Sequence, residues 1–181
     1  MAQLATLDWR PVESEFVRQE FDVASNVQQN ELGTTARFRD ISATSGTANQ
    51  YGYADFKYCK FDVTAAEATV GGHAVYLNNA VDHIVSSDIS EAVAASGGKR
   101  PAGGYYFAPT DNQYGWVQIN GFFPTAYATN SASIAVMEKV TREGAADDTF
   151  IRASGTSRFP TCGIVVIAAA AGSGVIELLT S

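Results

Sequence analysis

The 181-residue chain has little of what catalytic centres are commonly built from: two histidines, two cysteines and two methionines. His73, His83, Cys59 and Cys162 do not form the closely spaced ligand pairs that mark zinc sites. Charge is also sparse, at 17% of residues, and of the wrong sign for nucleic acid. Lys and Arg number 12 against 19 Asp and Glu, a net −7, whereas displacing counterions from phosphates needs a cationic surface. No apolar run is long. Residues 163–172 make up about half of what a helix needs to cross a membrane. No basic leader with an apolar stretch of secretory length opens the sequence, so synthesis in a cytoplasm without a signal peptide is expected. Nucleotide motifs are missing as well. Gly98-Lys99 is followed by Arg100, position 93 is Val, and the glycine pairs at 71–72, 97–98 and 103–104 do not form a strand–turn–helix fingerprint. The serine motif of hydrolases is absent too. The expectation is a chain that is not an enzyme, with no cofactor, no metal, no nucleic acid and no membrane among its partners.

What the chain does have is aromatic and β-branched residues at period two, punctuated by glycine, asparagine and aspartate. Tyr51, Tyr53, Phe56, Tyr58, Phe61 and Val63 read as one or two strands. Further strands are expected at His73–Leu77, Val81–Val85, from Tyr105, at Trp116–Asn120 (ended by Gly121 and Pro124), Gly163–Ala168 and Val175–Leu179. Residues 132–140 suit a strand or a short helix, and short helical turns are expected near 64–69 and 88–95. Residues 96–104 read as a glycine-rich loop of unassigned role with an exposed basic tip at Lys99-Arg100. The pattern predicts a mainly β fold: a small antiparallel β-barrel or sandwich body with few short helices. Cys59 and Cys162 lie in strand-like surroundings and read as reduced thiols acting as small apolar residues.

Residues 1–45 differ from the rest. Their apolar residues are scattered among charges, too thinly to fold alone, so they read as an extended N-terminal arm and linker. The body then occupies 46–181. An arm of this kind must pack on its own body or on a neighbouring subunit. Trp9, Arg10, Phe16, Phe21, Arg37 and Arg39 are its candidate contact residues. Phe122 and Phe123 sit side by side before Pro124; at most one can face a core, and the pair reads as a candidate subunit interface or as a local mini-core under a loop. Asp147 and Asp148, with Glu143, form an acidic loop that reads as a solvated tip.

Several stretches resemble one family. Glu31–Phe38 (ELGTTARF), a loop of small residues and then Tyr51–Tyr58 (YGYADFKY) look like the start of the body in head decoration and minor structural proteins of tailed bacteriophages. Ala68–Leu77 and Tyr114–Gly121 are similar to that family's glycine-led strands. Residues 163–168 and 175–179 sit where the family closes its small barrel. The resemblance spans roughly residues 31–181, and the stretch 82–113 is longer than the family's usual connection. It implies a virion structural protein made in the host cytoplasm. Such a decoration or cement protein binds the major capsid protein on the outer capsid surface, as a homotrimer, with the arm reaching across subunits. Deleting residues 1–30 is then expected to abolish docking and leave the body folded. Two other readings are a fibre, tail or neck component, and a carbohydrate-binding module using Tyr105, Tyr106 and Trp116 as a platform with Asp147 and Asp148 as acids.

Overall fold

The computed structural model describes residues 8–12, 17–41, 43–44, 47–48, 51–63, 74–79, 83–86, 101–126, 139–141, 151–152, 163–170 and 173–178. These residues are mainly β and contain no helix; the expected helical turns at 64–69 and 88–95 lie outside them. The strands are β1 (Trp9–Pro11), β2 (Thr35–Asp40), β3 (Ala43–Thr44), β4 (Thr47–Ala48), β5 (Tyr53–Phe61), β6 (Ala74–Asn79), β7 (Ile84–Ser86), β8 (Pro101–Gly104), β9 (Tyr114–Ala126), β10 (Lys139–Thr141), β11 (Ile151–Arg152), β12 (Gly163–Ala170) and β13 (Ser173–Leu178). Eleven of them pair in the order β1-β2-β5-β7-β6-β8-β9-β13-β12-β10-β11, with a further ladder between β5 and β9; β3 and β4 make a separate hairpin. All ladders are antiparallel except β5–β7. The β5–β9 ladder turns the pairing path β5-β7-β6-β8-β9 back on itself, while the sheet as a whole stays open, with β1 and β11 at its ends.

The β5–β9 pair is the central wall, and it is covered on both sides. Successive side chains of a strand point to opposite faces. Ala54, Phe56 and Tyr58 of β5 and Trp116 of β9 therefore share one face, where they pack with Trp9, Phe21 and Phe38. Cys59 and Phe61 of β5 and Val117 of β9 take the other face, under Val85, Tyr105 and Phe107. Edge-to-face ring pairs knit the first cluster, among them Phe38–Trp116 at 5.5 Å and Tyr58–Trp116 at 5.2 Å between centroids. Such pairs contribute about 0.5–1.5 kcal/mol each beyond the area they bury. Burial pushes the Cys59 thiol up to about 12, so at neutral pH it packs as a small apolar group.

Three expectations about the strands change. β9 does not stop at Gly121 or Pro124. Gly121 adopts φ +88°, and a Cβ there would lie 2.7 Å from the Tyr53 carbonyl oxygen, so only glycine lets the strand pass this point. Pro124 falls in the register shift between Phe123↔Ile176 and Gly174↔Ala126, the kind of irregularity at which a sheet accommodates a residue without an N–H donor. Second, the end of the expected 96–104 loop is strand β8, wedged so close to β9 that a Cβ on Gly103 would lie 1.9 Å from the Gln118 carbonyl oxygen. Third, Tyr105–Phe107 is not a strand. It is irregular backbone whose rings still alternate, Tyr105 and Phe107 into one core and Tyr106 against the other.

The described part of residues 1–45 is joined to the body. β1 pairs with β2, and β2 pairs with β5 along five residues. Phe123, expected at an interface, is fully buried within the chain against Tyr106, while Phe122 is half-buried opposite Glu177. Phe123 goes inward because β9 continues past Gly121 and places it over β8.

Candidate docking face

The sequence TARFRD of β2 alternates, and so do its partners. Phe38 and Asp40 are buried; Thr35, Arg37 and Arg39 are exposed. The registers Arg10↔Arg39↔Tyr53 and Arg37↔Asp55 align the exposed set across β1, β2 and β5. Val12 donates its backbone N–H to the Arg37 carbonyl at 2.9 Å, and Ile41 donates to the Asp8 carbonyl at 2.8 Å, which extends the same parity at both ends. One sheet face thus presents Asp8, Arg10, Val12, Thr35, Arg37, Arg39, Ile41, Tyr53, Asp55 and Lys57. Four cations stand against two carboxylates there, a net +2 within a chain of net −7.

Ion pairs order this face. The Arg37 guanidinium grips Asp55 with Nε–Oδ1 at 2.8 Å and Nη2–Oδ2 at 3.3 Å, and Asn120 Nδ2 donates to Asp55 Oδ2 at 3.2 Å. The Arg37 hydrogen bond holds the Asp55 carboxyl below its usual value, with burial opposing. Arg10 pairs with Asp8 at 2.8 Å. Arg10 and Arg39 face one another across the β1–β2 ladder, an arrangement of like charges that costs stability unless carboxylates lie nearby.

The opposite side of the same wall is closed by residues 17–34, a strap without regular strands. Gln19 fastens it. Its Oε1 accepts from the Tyr58 hydroxyl at 2.6 Å, its Nε2 donates to the Tyr114 carbonyl at 3.0 Å, and its backbone carbonyl accepts from Trp116 Nε1 at 2.9 Å. Burial raises the Tyr58 pKa, which keeps the hydroxyl a donor. Ser25 bridges to Tyr114, and Gly33 and Thr34 exchange backbone bonds with Tyr58 at 2.9 and 2.8 Å. Phe21 inserts against Phe56 and Tyr106. Between β1 and the strap lies a cleft of about 350 Å³, floored by Trp9, Val17, Phe21 and Phe38 and rimmed by charged residues including Arg10 and Arg18.

The structure therefore divides the expected contact residues. Arg10, Arg37 and Arg39 come together on the exposed face. Trp9 and Phe21 are buried in the chain's own core, because the aromatic inner face of β5–β9 offers them more apolar area than solvent-facing positions would. Phe16 lies outside the described residues. The expected aromatic platform does not form: Tyr105 and Trp116 are buried in different cores, and Asp147 and Asp148 lie outside the described residues. Among the described residues no group of three or more His, Cys, Asp and Glu side chains is placed to hold a metal; His73 and Cys162 are not among them. Sequence reasoning missed Val12, Ile41, Tyr53 and Gln19. The first three were detectable from parity, once Phe38 is taken as inward. Gln19 carries no local signal, since its partners lie 39 and 95 positions away. Comparison with protein-family models, with curated proteins and with solved structures finds no match for this chain.

Proposed function

We propose that the chain is a virion structural protein of the decoration or cement kind. It adds in many copies, as a homotrimer, to the outer surface of a tailed-phage capsid, with the major capsid protein as its partner. The observation that carries this reading is the exposed face of β1, β2 and β5. Arginine, tyrosine and aliphatic side chains that the core does not need are held there in fixed register. Arg and Tyr are the residues on which protein–protein contacts most depend, and a rigid β platform presents them with little ordering entropy left to lose. The resemblance of residues 31–181 to phage head proteins supplies the setting. Stabilisation of a shell then follows by mass action, because the copies bind the assembled lattice and not separated subunits.

The test is the copy number of this chain in purified virions, measured by quantitative mass spectrometry against the major capsid protein. Hundreds of copies are expected of a decoration protein. A handful of copies would indicate a neck, tail or fibre component, and absence from the particle would remove the reading.

A further inference from the structure

The two sides of the β1–β2–β5 wall carry opposite charge. The outward face holds Arg10, Arg37, Arg39 and Lys57 against Asp8 and Asp55, a net +2. The strap exposes Glu20, Asp22 and Glu31 against Arg18, a net −2; Glu20 and Asp22 meet Arg10 at the cleft along the β1 edge, and Glu31 is not among the residues that line it. A second observation coincides with the first. The large apolar side chains exposed among the described residues are Val12, Val23, Val27, Ile41 and Tyr53. Val12, Ile41 and Tyr53 stand on the basic face, and Val23 and Val27, the latter 65% exposed, on the acidic strap. Both surfaces thus combine apolar anchors with a charge of one sign, and the signs are complementary.

We infer that copies of this chain associate head to tail, the outward face of β1, β2 and β5 in one copy seated on residues 18–31 of the next. This rests on the adhesive reading above for its setting and assigns the face of β1, β2 and β5 to the contact between copies in that reading's homotrimer; the capsid is then met by other surfaces of the assembled ring. A two-fold contact through either surface would bring arginines against arginines or carboxylates against carboxylates, and like charges across an interface select against that geometry. Opposite patches on opposite sides give a heterologous contact, which closes into a ring where the rotation between copies allows it. Val12, Ile41 and Tyr53 meeting Val23 and Val27 supply the apolar burial. The charges set orientation and encounter rate.

Sedimentation velocity of the full chain tests this. The wild type is expected to form oligomers that weaken roughly tenfold or more when NaCl is raised from about 0.1 M to about 1 M, where the screening length falls from ~10 to ~3 Å. Arg10→Glu with Arg39→Glu should dissociate the oligomer, and so should Glu20→Lys with Asp22→Lys. The four substitutions together restore opposite charge across the contact and leave net charge unchanged, so they should restore association. All four positions are exposed, and near-ultraviolet circular dichroism from Trp9 and Trp116 checks that each variant keeps the fold. A wild type that stays monomeric at every concentration it tolerates would overturn the inference. So would an oligomer indifferent to salt and to both reversals, or a failure of the combined variant to recover. Failure of the decoration reading is distinguishable: an associating chain absent from virions overturns that reading alone, and a monomeric chain present in hundreds of copies overturns the head-to-tail contact and the homotrimer but leaves decoration standing.

Discussion

The two faces of the β1–β2–β5 wall are made by neighbouring residues of the same strands, yet they have opposite fates. Trp9 and Arg10, Phe38 and Arg39, and Ala54 and Tyr53 are adjacent in sequence and separated by the thickness of the sheet. Residue type does not decide the outcome, as the tyrosines show. Tyr58 is fully buried and bonded to Gln19, while Tyr53, five residues earlier on the same strand, is 56% exposed. Parity decides it, and the strap decides which parity is inside. The face that residues 17–34 cover becomes core. The other face has no cover from β2 or the strap until β5 reaches Cys59, where the irregular segment 105–107 closes over it. A thinly apolar segment can thus be an integral part of a fold when the body supplies the other half of each contact.

The largest effect should come from removing that cover. Deleting residues 1–30 takes Trp9 and Phe21 from one core cluster and removes the Gln19 hydrogen bonds that fasten the strap, so the truncated chain is expected to lose cooperative unfolding in urea instead of retaining a folded body. A truncated chain that unfolded at the wild-type midpoint would show that the inner face does not depend on the strap. The single change Phe21→Ala should cost about 3–5 kcal/mol, the usual range for emptying a buried aromatic site. Arg39→Ser on the opposite face should stay within about 0.5 kcal/mol of wild type. Similar losses at both positions would erase the distinction between the faces.

Next in size is the fastening of the strap. Gln19→Ala leaves the Tyr58 hydroxyl without its acceptor and the Tyr114 carbonyl without one of its donors. A loss of about 1–3 kcal/mol is expected, because buried polar groups without partners carry their full desolvation cost. Tyr58→Phe alone should cost about 1 kcal/mol. The double variant should cost less than the sum, since residues in one hydrogen-bonded network couple. Strict additivity of urea midpoints would mean that the 2.6 Å bond does not hold the strap.

Much of the fold was legible because period two is a strong signal where aromatic and polar residues alternate. β5, β6, β12 and β13 lie close to where residues 51–63, 73–77, 163–168 and 175–179 pointed. Two of the three misreadings share a cause. Gly103, Gly121 and Pro124 normally end strands, but here two strands approach too closely for a side chain, and the proline sits at a register shift. Close approach between distant segments leaves no local trace in a sequence. The docking face was half legible. Arg10, Arg37 and Arg39 stood out by charge, but their grouping apart from Trp9 and Phe21 depends on which side of the wall the strap lies, and that is set by Gln19 reaching residues far along the chain.

The smallest expected effect belongs to the outward face and sharpens the comparison through pH. The Arg37 hydrogen bond lowers the Asp55 carboxyl below the ordinary value of 3.8. A carboxyl whose folded value is depressed adds stability above its unfolded value, and that stability fades as pH falls through the folded one. The Arg37–Asp55 pair should therefore contribute fully at neutral pH and be lost progressively below about pH 4. Asp55→Asn cannot titrate. Urea unfolding of wild type and Asp55→Asn should differ by a small, constant amount from pH 7 down to about 5 and converge toward pH 2. The Arg37 side chain is 62% exposed and that of Asp55 19%, so raising salt should shrink the neutral-pH difference as well. A difference that persisted unchanged to pH 2 would mean that Asp55 acts by shape and not by charge, and the outward face would then be ordered by packing, as the inner face is.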